Sequence, residues 1–124
     1  TLSDIKKVDK IAVPHKGLIL SYVEAQGLTN IYKMLKMDAQ IRHVLMGRAD
    51  LAVTATPLGV VHYLKKLNKP TDALVKTQVK LLEFPLYIAC SRKIPDSVID
   101  KWQQAFEKVK ASGQFQRIYN KYLY

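Results

Sequence analysis

Short apolar runs of a few residues alternate along this chain with amphipathic stretches of about ten, and this alternation constrains the fold more than any other feature. Residues 10–13 (Lys-Ile-Ala-Val) read as a buried strand stopped by Pro14. After Gly17, residues 18–26 carry Leu18, Ile19, Tyr22 and Val23 at helical spacing, and Gly27 is a stop. Residues 30–35 are a weaker strand. Asp38 reads as the N-cap of a helix over 39–46, with Ile41, Val44 and Leu45 as its apolar stripe and Gly47 as its end. Residues 51–53 are a short uncharged strand. Thr56 followed by Pro57 opens the next helix, because a hydroxyl cap precedes a proline whose missing N–H costs nothing at the first helical position. Leu58, Val61 and Leu64 mark its inner face, and it ends near 68–70.

Residues 74–82 are apolar and β-branched enough for a strand, and residues 86–91 (Leu-Tyr-Ile-Ala-Cys-Ser) read as a central one. Pro95-Asp96 opens the clearest helix, with Val98, Ile99, Trp102, Ala105, Phe106 and Val109 on one face. Gly113 breaks it, and Phe115, Ile118, Tyr119, Tyr122 and Leu123 make a second amphipathic helix. Strands alternating with helices in this way predict an α/β layer arrangement with parallel pairing.

Function classes narrow by elimination. The longest charge-free run, 51–64, contains Pro57 and Gly59 and falls short of the roughly 20 apolar residues a membrane span needs. One cysteine, Cys90, excludes an intrachain disulfide and an all-cysteine metal site. The formal charge of +10 raises a nucleic-acid reading. The basic residues are nevertheless scattered from Lys6 to Lys121 without a run of four, which is the pattern of a solvated lysine surface, so no nucleic acid is expected as a partner.

His15, His43 and His62 share no metal-ligand spacing, and no metal or cofactor is expected. Cys90 falls in a predicted buried strand, where cysteine is commonly an inert hydrophobe. Asp50 could act as an acid but more commonly such a residue is a turn partner. No nucleophile or carboxylate pair stands in a recognisable motif, so no catalytic residue is assigned and a non-enzymatic role is expected. One feature carries chemistry. The run Pro14-His15-Lys16-Gly17-Leu18 links a strand to a helix, which places helix N-terminal amides at the carboxyl edge of a sheet. Those amides favour an anion, and His15 and Lys16 add positive charge. Thr54, Ala55 and Thr56 form a second such loop, although Thr54 and Thr56 serve equally well as local backbone caps.

In this order of segments, Met46-Gly-Arg-Ala-Asp50-Leu-Ala-Val53 resembles the "G-R-x-D-a-v" stretch of extracellular (periplasmic) solute-binding proteins of the polar amino-acid ABC-transporter class. Thr56-Pro57 and its helix continue the resemblance, and residues 86–92 are similar to that family's returning hinge strand. The ending, Ala111-Ser-Gly-Gln-Phe-Gln-Arg-Ile-Tyr-Asn-Lys121-Tyr122, resembles its "k-a-s-G-t-y-q-x-I-y-x-k-y" close. The opening, from Leu2 to Val13, is similar to "s-l-x-d-L-k-G-k-k-V-a-V".

The resemblance implies an α/β chain comprising one lobe of a type II periplasmic-binding-protein fold plus C-terminal helices from the other lobe. Residues 1–84 would be a lobe-two-like domain, and 85–124 the hinge strand and helices that belong to lobe one. It implies a periplasmic solute-binding domain, for transport or sensing, that works with a membrane ABC permease. Ligand contacts carry over to His15, Lys16, Gly17 and Leu18 and to Thr54, Ala55 and Thr56. Ala55 stands where the family has an aspartate that holds the ligand's ammonium group, and alanine leaves such a charge unpaired. The expected ligand is therefore a small polar or anionic solute rather than a standard amino acid. The same scaffold also serves as the sensory module of membrane receptors, as a dehydratase-like enzyme, and as the effector domain of transcriptional regulators. With the first lobe missing, the Trp102 and Phe106 stripe lacks its cover, and a homodimer through exposed C-terminal helices is expected.

Overall fold

In the computed structural model, which describes residues 1–123, three short strands form one parallel sheet: β1 (Ile11–Pro14), β2 (Ile31–Met34) and β3 (Leu51–Ala52), in the order β2-β1-β3. Ile11 lies opposite Ile31 on one side and Leu51 on the other, and Ala12 lies opposite Tyr32 and Ala52. The architecture is mixed α/β. By its contacts the chain falls into two units, residues Thr1–Glu83 and the residues from Phe84 onward. Tyr124, part of the expected second region, lies outside the described residues.

Strand alternation sorts the first unit into two layers. Odd positions, Ile11 and Val13 with half-buried Ile31, Leu51 and Val53, pack with Leu20 and Val23 of α2 (Leu18–Ala25), and with Ile5 and Leu28. Even positions, Ala12, Met34 and Ala52, pack with Ala39 and Val44 of α3 (Met37–Leu45) and with Ala49. The alanines are what let α3 lie close on the sheet, where it touches all three strands and α4 (Pro57–Lys66). Left-handed Gly27 and Gly47 turn the chain just after α2 and α3.

A four-residue helix, α1 (Leu2–Ile5), precedes the sheet. Thr1 and Asp4 form a reciprocal capping box there, in a T-x-x-D pattern. Asn30 ties this start to β2, donating from Nδ2 to the Ile5 carbonyl at 3.1 Å and the Val8 carbonyl at 2.6 Å.

Several expectations are corrected. Asp38 is not an N-cap: α3 begins two residues earlier with Lys36 in the cap position. The Asp38 carboxylate instead accepts from Arg42 one turn on, at the (i, i+4) spacing that brings side chains together. Burial pushes the Asp38 carboxyl up, but Arg42 outweighs it and holds the group below its ordinary value, so it stays ionised. Leu18 is not on the buried face of α2; it is 58% exposed, and Leu20 takes the inner position.

Residues 74–82 and 86–91 form no strands. A strand exists only where a neighbour completes its ladder, so apolar composition alone does not make one. Val79 and Leu81 instead fold onto the α2-side core as irregular chain. Cys90 is accordingly not a buried strand residue but a half-buried free thiol in irregular chain.

The second unit contains α5 (Asp96–Ala111) and α6 (Gln114–Leu123), which pack against each other. The Phe106 and Phe115 rings meet edge to face at 6.0 Å, and Phe115 stacks on Tyr119 at 6.5 Å. Neither helix has a buried residue, so their apolar stripes are present as the sequence predicts but are not covered.

Candidate functional site

Parallel pairing fixes where the chemistry collects. Because β1 and β3 are adjacent and parallel, their following loops leave the sheet at one edge; the Val53 amide donates to the Ala12 carbonyl at 2.9 Å just before they diverge. The loop after β1 leads to α2 on one face, and the loop after β3 leads to α4, which packs with α3 on the other. Such a reversal between neighbouring strands marks, at their carboxyl ends, the position where open α/β sheets bind ligands. His15, Lys16, Gly17 and Leu18 sit on one side of this switch point, and Thr54, Ala55 and Thr56 on the other. The His15 amide also donates to the Met34 carbonyl at 2.9 Å, which fixes the loop against the end of β2.

The local geometry leaves donors free. Gly17 caps α2 with φ 94° and ψ −176°, a conformation essentially limited to glycine, and contributes no side-chain cap. The first-turn amides of α2 therefore lack intrahelical or capping partners. The start of α3 also lacks a side-chain cap, and Lys36 stands there exposed. At α4 the arrangement differs: Thr56 Oγ1 accepts from the Gly59 amide at 3.2 Å, so that oxygen is committed to the helix. Among the described residues Thr54 makes no side-chain hydrogen bond, and its half-buried hydroxyl is uncommitted. His15 is half-buried, while Lys16, Gly17, Leu18, Ala55 and Thr56 are exposed.

Lys36 is a residue that sequence reasoning missed, because placing the helix start at Asp38 hid the third strand-to-helix loop. Gln40 was missed as well. It is 2% exposed, and its Oε1 has no hydrogen-bond partner among the described residues. Leaving a buried acceptor unpaired costs about 1–3 kcal/mol. Gln40→Met keeps the volume and removes the acceptor, so stability is expected to stay level or rise by up to about 2 kcal/mol. Urea denaturation at unchanged slope measures it; a fall in stability would show that the carboxamide is satisfied by a partner such as bound water.

Other polar residues have structural duties. Asp50 Oδ2 accepts from the Lys10 amide at 2.8 Å and latches the amino ends of β1 and β3 together. His43 Nδ1 lies 2.8 Å from the Ala39 carbonyl, which makes that nitrogen the donor, and its ring rests 5.7 Å from Tyr32. A hollow of about 390 Å³ lies there at the opposite edge of the sheet, between Lys10, Tyr32, His43 and Arg48. Among the described residues no group of three or more His, Cys, Asp or Glu is placed to hold a metal ion, and no helix is long and apolar enough to cross a membrane. Comparison with protein-family models, with curated proteins and with solved structures finds no match.

Proposed function

We propose that the first unit is a solute-binding lobe of the periplasmic-binding-protein kind, which takes a small polar or anionic solute at the carboxyl edge of its sheet. The observation that carries this reading is the switch point between β1 and β3, with two helix starts at the sheet's carboxyl edge that lack side-chain caps. Orphan amides and the positive ends of helix dipoles attract negative charge, and His15, Lys16 and Lys36 reinforce them. Asp38 also lies at the start of α3, but its charge is engaged by Arg42.

The resemblance of the segments around Asp50, Thr56 and Ala111 to the polar amino-acid class supports the same reading. It adds an exported location and delivery to a membrane permease by closure of the ligand between lobes. The exposed Ala55 offers nothing to an ammonium group, which favours carboxylates and phosphate over α-amino acids.

The test is a thermal-shift and calorimetric screen of the full chain with small carboxylates, inorganic phosphate and amino acids at matched ionic strength. A bound anion at about a hundred times its Kd adds about 2.7 kcal/mol, worth roughly 10–20 °C for a unit of this size. Lys16→Glu is expected to abolish that gain, and Lys93→Glu, the same charge change in the other unit, to leave it. Tighter binding of an amino acid than of any carboxylate would overturn the argument from Ala55. An absence of stabilisation by every anion would overturn the site.

A further inference from the structure

The second unit leaves large apolar side chains bare. Leu86, Tyr87 and Ile88 are 84%, 86% and 85% exposed, and Trp102, Phe106, Phe115, Ile118 and Tyr122 are 46–64% exposed. Taking about 200 Å² per large side chain, these eight leave roughly 1,000 Å² uncovered. A single contiguous apolar patch on a soluble monomer rarely exceeds a few hundred Å², while each partner in a standard interface contributes about 800 Å². Residues 84–91 carry no charge, and among the described residues none of 84–90 makes a backbone–backbone hydrogen bond. In pleated form Leu86, Tyr87 and Ile88 would alternate between two faces, so the segment has the character of a strand lacking both its ladder and its flanking layers.

We propose that this surface, residues 84–91 with the apolar faces of α5 and α6, is where a second copy of the chain binds. The area suffices for a two-fold interface, in which one patch serves both partners. The absence of charge over 84–91 lets the segment pair with its own counterpart without like charges opposed. Net charge sets the sign of the salt dependence. From Phe84 onward the chain has seven basic and three acidic side chains, so two copies repel, and salt strengthens their association. An acid-rimmed protein or an anionic lipid surface would be attracted by the same charge, and salt would release it. The inference is independent of the anion-binding reading, since it concerns the other unit and its readout needs no ligand.

Sedimentation equilibrium of the full chain over roughly 10–200 µM tests it by mass action. A mass rising from 14.1 kDa toward twice that value is expected, with the dimer constant tightening about threefold or more from 0.05 to 0.5 M salt. Ile88→Asp and Trp102→Asp sit at exposed positions and leave the monomer folded; each is expected to weaken the dimer at least about tenfold by burying an unpaired charge. Leu35→Asp, 78% exposed in the first unit, should leave it unchanged. A monomer at every concentration and salt overturns the proposal, as does a dimer indifferent to both variants or weakened by salt. So does a monomer that co-sediments with phosphatidylserine–phosphatidylcholine vesicles and is released by salt, which would assign the surface to lipid.

Discussion

Ile11→Ala is expected to lower the stability of the first unit by about 2–5 kcal/mol. Ile11 lies on the central strand, is fully buried, and pairs with Ile31 and Leu51 on its two sides. Its side chain belongs to the cluster of Ile5, Val13, Leu20, Val23 and Leu28. Removing it deletes transfer free energy and leaves a cavity that two fixed neighbouring strands cannot close. A unit of this size has a total stability of about 4–12 kcal/mol, so the loss is a large fraction of the whole. Ile11→Val, which removes one methylene, is expected to cost about 0.5–1.5 kcal/mol. Val75→Ala, at an 88% exposed position, should change stability by no more than about 0.5 kcal/mol. Urea midpoints for the three variants check the order; an Ile11→Ala loss below that of Ile11→Val would show that β1 is not the centre of the core.

Gly17→Ala is expected to cost about 1–3 kcal/mol although nothing stands in its way. A Cβ built at Gly17 meets no heavy atom within 4 Å. The cost is in the backbone: φ 94° with ψ −176° is strained for any L side chain. Alanine must therefore hold the strain or rotate the loop, and rotation turns the first amides of α2 away from the carboxyl edge of the sheet. The two readouts separate these responses. Retained strain lowers the melting temperature and leaves anion binding intact; a relaxed loop restores stability and abolishes binding. An alanine variant with unchanged stability and unchanged anion affinity would contradict the geometry at this cap.

Much of the first unit was legible residue by residue. Pro14 ends β1, Thr56 caps α4 with Pro57 at its first position, and Gly27 and Gly47 follow helices that stop where they should. Each is a local rule, satisfied within a few residues of where it is written. The failures share the opposite property. Residues 86–91 have the composition of a central strand, but pairing depends on a distant neighbour that composition does not supply. Asp38 is as good a cap by type as Thr56, but Arg42 one turn away competes for its carboxylate.

The candidate site divides along the same line. His15, Lys16, Gly17 and Thr54 to Thr56 were identifiable as strand-to-helix loops. That the two loops share one edge follows from β1 and β3 being parallel neighbours, with β2 on the far side of β1. The glycine-only conformation at Gly17 and the unpaired Gln40 oxygen had no sequence signal, because both depend on how the surrounding chain packs.

The alternation of short apolar runs with amphipathic stretches therefore determined by itself the mixed α/β class, most helix boundaries and the loops able to carry charge, since propensity, capping and periodicity act over a single turn or pleat. Only the tertiary structure decided which runs became strands, which loops met at the switch point and which apolar faces stayed uncovered. Those outcomes rest on hydrogen-bond ladders and burial between residues tens of positions apart, where the closure of the chain, rather than the identity of any one residue, sets the balance.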